Sequence, residues 1–129
     1  MTVLLPQPLP ASSGWQLTDW LDESFTSAAA AGGVATITLP QLAIDERWQL
    51  TLMVAFCTGT AAPAMRLYVG SVQPLNLRDG TASGAFDVAD WPMGLTVPAG
   101  SQLIAQWTGC NNGDVASLSL QGNIYRRTS

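Results

Sequence analysis

The side chains of this sequence that could perform acid–base chemistry are carboxylates, because its 129 residues include no histidine. Without histidine, Ser-His-Asp triads, Cys-His dyads and most zinc sites are excluded. Glycoside hydrolysis would need two facing carboxyl groups at a defined separation. The candidates are Asp45, Glu46, Asp79, Asp87 and Asp90, and their spacing sets no such geometry. The sequence therefore predicts a protein that is not an enzyme and holds no cofactor.

Loop carboxylates also bind calcium, which prefers oxygen ligands. Asp79, Asp87, Asp90 and Asp114 could supply them, but their spacing matches no dense calcium loop. We expect these acids to solvate loops, and we predict no metal site.

Five tryptophans suggest a binding surface, since exposed indole rings can stack on sugars or on another subunit. Trp48 and Trp107 lie on the apolar faces of predicted strands, so we expect them in the core. Trp15, Trp20 and Trp91 stand beside loops or the amino-terminal segment. For these three, an intersubunit contact and a glycan platform both remain open.

The composition favours association with protein. Hydrophobic residues make up 47% of the chain and charged residues only 11%, against about 25% charged in ordinary soluble domains. A partner surface is therefore expected to cover part of the molecule. A net charge of −4 without clustered cations argues against a nucleic-acid partner. The longest apolar run, Leu52 to Cys57, is far below the roughly 20 residues of a membrane-spanning helix, so we predict no membrane partner.

The sequence predicts that the amino-terminal residues 1–14 form an extended arm. Pro6, Pro8 and Pro10 restrict the backbone to extended geometry. The segment lacks the basic start and apolar stretch of a secretory signal, so we expect maturation in a cytosol. Docking of the arm on another surface would use its three leucines. Together with the three tryptophans left open above, they are the interface candidates: Leu4, Leu5, Leu9, Trp15, Trp20 and Trp91.

Cys57 and Cys110 allow either a disulfide or two buried thiols. A reducing cytosol favours the thiols.

Residues 15–129 show the period of two that predicts strands, with turn residues between them. Near the start, Trp15, Leu17 and Asp19 would share a strand face, although Trp20, Leu21 and Phe25 could also mark a short helical turn. Further strands are expected over residues 34–39, 48–57, 65–69, 85–88, 94–97, 102–108 and 116–124. In the long strand, the expected faces are Trp48, Leu50, Leu52, Val54 and Phe56 on one side and Gln49, Thr51, Met53, Ala55 and Cys57 on the other.

A tight hairpin is predicted at Asn112-Gly113, between the last two strands. Many short strands without an amphipathic helix indicate an all-β fold. We expect one domain, an antiparallel jelly-roll-like β-sandwich.

Five short segments from about Glu46 to Tyr125 carry a family resemblance. They are Glu46-Arg47-Trp48, Leu67-Tyr68-Val69-Gly70, Asp87-Val88-Ala89-Asp90, Pro98-Ala99-Gly100, and Trp107-Thr108-Gly109 ahead of Asn112-Gly113. In these the chain resembles small β-sandwich virion structural proteins of tailed bacteriophages, especially those of high-GC actinobacteria.

The resemblance implies a capsid decoration protein or a tail-associated subunit, assembled in the host cytoplasm and located in the virion. Its implied partners are further copies of itself, with three copies expected by analogy, and the major capsid protein or another virion protein. The glycan-binding host-attachment module stays as an alternative.

Overall fold

Alternating apolar and polar residues place most of the chain in strands. The computed structural model describes residues 14–59, 63–81 and 86–127. The strands are β1 (Trp15–Thr26), β2 (Val34–Thr38), β3 (Glu46–Cys57), β4 (Ala64–Val69), β5 (Leu77–Thr81), β6 (Phe86–Val97), β7 (Leu103–Thr108) and β8 (Ala116–Arg127), with one turn of 3-10 helix at Pro74–Asn76. Among these residues, no helix is long and apolar enough to cross a membrane.

The strands form two antiparallel four-stranded sheets, which confirms the all-β sandwich. Sheet I has the order β1-β8-β3-β6 and sheet II the order β2-β7-β4-β5. The pairing is nested: β1 pairs with β8, β2 with β7, β3 with β6 and β4 with β5. Each strand of the amino-terminal half therefore meets a strand of the carboxyl-terminal half, and successive pairs alternate between the sheets.

The core lies between the sheets and follows the predicted alternation over most strands. The buried side chains include Ala35, Ile37, Met65, Leu67, Leu103, Ala105, Leu118 and Leu120. Trp107 is fully buried and Trp48 is 9% exposed, so both predicted core tryptophans are confirmed. Burial of these side chains supplies the hydrophobic driving force, about 1.5–3 kcal/mol for each large aliphatic side chain.

The predicted faces of β3 are wrong beyond Leu50, because the strand contains a β-bulge. Its register with both β8 and β6 shifts between Leu50 and Leu52. A bulge inserts one extra residue and moves every later side chain to the opposite face. Met53, Ala55 and Cys57 therefore fill the core, while Leu52, Val54 and Phe56 point outward.

A second bulge changes the faces of β1, whose prediction as a strand is confirmed. Its register with β8 shifts between Leu17 and Asp19. Leu17 pairs with Tyr125 and Trp20 with Asn123, so Leu17 and Trp20 lie on the same face. Asp19, which was expected to share a face with Leu17, lies on the other.

The predicted hairpin is wrong, because β7 belongs to sheet II and β8 to sheet I. The turn itself is present: Gly113 has a φ of 89° and the Asp114 N–H donates to the Asn111 carbonyl at 3.1 Å. Local turn chemistry does not select the partners of the flanking strands. β8 pairs instead along its whole length with β1 and β3.

The middle of the chain also differs from expectation. Two short strands were predicted at residues 85–88 and 94–97, but one irregular strand, β6, runs without interruption from Phe86 to Val97. β5 had no clear period and was not predicted. Residues 1–13 of the amino-terminal arm, including Leu4, Leu5 and Leu9, lie outside the described residues.

Candidate association surface

The outward-pointing side of sheet I, here called the outer face, carries an unusual number of large apolar side chains. The two bulges create it by turning apolar residues of β1 and β3 away from the core. The outer face has an apolar zone at one end and an arginine–aromatic zone at the other.

The apolar zone consists of Leu52, Val54 and Phe56 on β3 and Phe86 and Val88 on β6. Cross-strand pairing sets Val54 opposite Val88 and Phe56 opposite Phe86. The two phenylalanine rings meet edge to face with centroids 6.5 Å apart. Phe86 is 66% exposed and Val88 51%. Contiguous apolar exposure of this kind is typical of an interaction site in a soluble protein.

The arginine–aromatic zone consists of Trp15, Arg47, Tyr125 and Arg127. The Arg47 guanidinium carbon lies 4.8 Å from the centroid of the Trp15 ring and 5.3 Å from that of Tyr125. The Arg127 guanidinium carbon lies 4.9 Å from the Trp15 ring. Cation–π contacts at such distances contribute about 0.5–1 kcal/mol each at exposed sites. They hold the rings and cations in one ordered patch.

Trp20 and Leu17 extend this zone at the free edge of β1. Trp20 is 72% exposed and Leu17 is 58% exposed. An exposed tryptophan is a characteristic anchor of protein interfaces. Of the three tryptophans left open by the sequence, Trp15 and Trp20 therefore lie together on the outer face.

Trp91 lies elsewhere. Its side chain is half-buried and packs against the core. Its indole N–H donates to Asp79 Oδ2 at 2.6 Å, which ties β6 of sheet I to β5 of sheet II. Trp91 therefore closes one edge of the sandwich and is not part of the outer face.

Four of the six carboxylates considered for catalysis or calcium binding serve as local hydrogen-bond acceptors, while Asp45 and Asp90 are exposed. Within the described ranges, no group of three or more acidic, cysteine or histidine side chains is arranged to hold a metal ion. Glu46 accepts from the Trp48 indole N–H at 2.8 Å, and Asp79 accepts from the Trp91 indole N–H at 2.6 Å. Asp87 accepts from the Val88 backbone N–H and Asp114 from the Asn111 backbone N–H, each at 2.9 Å.

Cys57 and Cys110 are both buried free thiols at one end of the core. Burial raises the pKa of the Cys57 thiol from 9.0 to about 11, and the neighbouring Cys110 adds to this shift. The thiolate is the reactive form of cysteine, so this raised pKa leaves little reactive thiolate on Cys57 at neutral pH.

The sequence reasoning missed the apolar zone, although a signal for it was present. Leu52 to Cys57 is uninterruptedly apolar, and strands of that kind are covered on both faces. Comparison with protein-family models and with curated proteins finds no match to this chain. The interpretation of the outer face therefore depends on its own chemistry.

Proposed function

We propose that this protein is a non-enzymatic structural subunit of a tailed-phage virion, a capsid decoration protein that associates with other protein through the outer face of sheet I. The observation that carries the proposal is the exposure on that face of Trp20 (72%), Phe86 (66%), Leu17 (58%) and Val88 (51%). With 11% charged residues in the whole chain, few ionised groups are available to keep such a surface solvated.

The size of the outer face supports this role. Its four strands are each 12 residues long. With about 4.8 Å between strands and about 3.3 Å per residue, the face measures roughly 19 by 36 Å, or about 700 Å². A standard protein–protein interface buries about 800 Å² on each partner. One sheet face is therefore large enough for a specific complex.

The nested strand order supports the finer fold assignment. Pairing of the first strand with the last, in two sheets of four, is the order expected for a jelly roll, an architecture that viral capsid and lectin domains share. In a virion, the partners would be further copies of this chain, three by analogy, together with the major capsid protein. A tail-associated location would use the same surface. Interface burial would stabilise the assembled particle relative to its parts by mass action.

Sedimentation equilibrium of the purified chain tests the proposal. The wild type is expected to be oligomeric, and Phe86→Ser and Trp20→Ser should each weaken association by about 30-fold or more, the effect of losing an interface anchor. Leu75→Ser is the matched control, because Leu75 is 93% exposed and belongs to the 3-10 turn outside the outer face. A monomeric wild type that also fails to bind phage capsids would refute the assignment.

A glycan-binding host-attachment module is the second candidate. The observation that favours it is the 72% exposed Trp20 ring on the outer face, because an exposed indole can stack on a sugar. A glycan array would support this function if binding occurred and Trp20→Ala abolished it while Phe86→Ser did not.

A further inference from the structure

We infer that the amino-terminal arm of this chain docks through Leu5 and Leu9 into an apolar pocket at the edge of its own sandwich, beside β1. The pocket has a volume of about 340 Å³. Phe25, Pro40, Leu42 and Trp48 provide apolar walls, and Glu23 and Glu46 also line it. It lies on the opposite side of sheet I from the outer face, so the inference does not depend on the proposed function.

The arm begins close to this pocket. Trp15 pairs with Arg127, and the Arg127 backbone N–H donates to the Asp45 carbonyl at 2.9 Å, next to the pocket residue Glu46. Gly14 has a φ of 66°, which bends the chain where the arm meets β1. The arm is therefore joined to the same end of the sandwich that carries one wall of the pocket.

The length of the arm matches the distance it must cover. In the register of sheet I, Glu46 lies at the level of Gln16, and the pocket extends from there to Phe25 on β1. The pocket therefore runs from about two to about eleven residues along the strand from Gly14, or about 7 to 36 Å at 3.3 Å per residue. Counted back from Gly14 at the same spacing, an extended arm would bring Leu9 five residues and Leu5 nine residues along, so both would fall within this span.

The polarity of the pocket disfavours an anionic occupant and is compatible with an apolar segment of this chain. The Trp48 indole N–H is already bonded to Glu46 Oε2 at 2.8 Å, so it has no free donor for a polar ligand. Glu23 and Glu46 disfavour an anion such as a fatty-acid carboxylate. Residues 1–13 contain no charged side chain and three leucines.

The prolines of the arm make docking less costly. Pro6, Pro8 and Pro10 alternate with Gln7 and Leu9. Each proline removes backbone freedom that binding would otherwise have to remove. Grooves lined by aromatic side chains bind proline-rich segments in this preformed extended shape. Attachment to the same chain also gives a local concentration in the millimolar range.

Photo-cross-linking of the full-length chain locates the arm. Leu9 is replaced by p-benzoylphenylalanine, and the cross-linked peptides are mapped by mass spectrometry. The expected products lie within one chain and join position 9 to residues 40–43, Phe25 or Trp48. The same label at Thr2 serves as the control and should give few of these products. Products that map to other surfaces, or that join two chains, would overturn the inference.

A nuclear magnetic resonance measurement gives a second test that no cross-link chemistry can bias. The indole N–H signal of Trp48, assigned by its loss in Trp48→Phe, should move in Leu9→Asn, since burial of one leucine changes the docked population about tenfold or more. Gln7→Asn, which is equally neutral, should leave it in place. Trp107, which is fully buried, is the internal reference. An unmoved Trp48 signal in Leu9→Asn would contradict docking.

Discussion

Gly122→Ala tests whether the bulge in β3 organises sheet I. Gly122 lies in β8, opposite Leu50 of β3 and Leu21 of β1. A methyl group at this position would overlap the carbonyl oxygen of Gln49 and lie 2.8 Å from Leu50 Cα. Because both are backbone atoms next to the bulge, no side-chain rotation can relieve the contact.

The size of the effect follows from the displacement required. Ordinary van der Waals contact with a Cβ begins near 3.4 Å, so β3 or β8 must move by several tenths of an ångström or more at the centre of sheet I. Overpacking a close-packed interior costs about 1–3 kcal/mol and more when backbone must move. For a chain of this size, that corresponds to a fall in melting temperature of roughly 10 °C.

Thermal unfolding followed by circular dichroism measures the change. Ser117→Ala is the control, since Ser117 lies on the same strand, half-buried on the outer face. It should melt within about 2 °C of the wild type, as surface substitutions usually stay within 0.5 kcal/mol. If Gly122→Ala also melts within that margin, the close approach of β8 to the bulge does not restrain the fold, and the reasoning fails.

Three further predictions concern single side chains. The pKa of the Cys57 thiol is raised from 9.0 to about 11, so between these pH values the folded chain keeps a proton that the unfolded chain releases. The free energy of unfolding is therefore unaffected by this group below pH 9 and falls by roughly 2–3 kcal/mol as the pH rises to 11. In urea titrations at pH 8 and 10.5, the free energy of unfolding should fall less with pH in Cys57→Ala than in the wild type. Equal falls in the two proteins would count against the raised pKa of Cys57. Asp114 is buried and accepts a hydrogen bond from the part-buried Asn111 N–H. Asp114→Ala should lower the free energy of unfolding by about 1–3 kcal/mol, since this N–H loses its acceptor, whereas Asp114→Asn should cost less; equal costs in urea titrations would contradict this role. Trp91→Phe removes the donor to Asp79 Oδ2 and should lower the free energy of unfolding in urea by about 1–2 kcal/mol. An unchanged free energy of unfolding would indicate that this hydrogen bond does not hold β5 and β6 together.

The features predicted correctly from sequence are those set by neighbouring residues along the chain. Alternation in residues 34–39, 65–69 and 102–108 predicted strands with the correct inward faces, since burial of one sheet face requires a period of two. The tryptophans Trp48 and Trp107 were placed in the core for the same reason. Low charge indicated that part of the surface would be unprotected.

The errors arise where pairing between distant strands decides the outcome. Asn112-Gly113 specifies a turn, but long-range ladders with β1 and β3 assign β8 to the other sheet. The hydrogen bond from Trp91 to Asp79, 12 residues away, is likewise a contact between two sheets that the sequence did not indicate.

The sequence by itself determined the all-β class, most inward-facing positions and the exclusion of histidine chemistry, because composition and period act locally. Tertiary structure alone decided which apolar residues face outward. The bulges at residues 17–19 and 50–52 reverse the side-chain alternation in β1 and β3; both occur in the pairing with β8, and the one in β3 lies beside Gly122. Since a one-residue shift moves every later side chain to the other face, the outer face that carries the proposed function exists only in the folded chain.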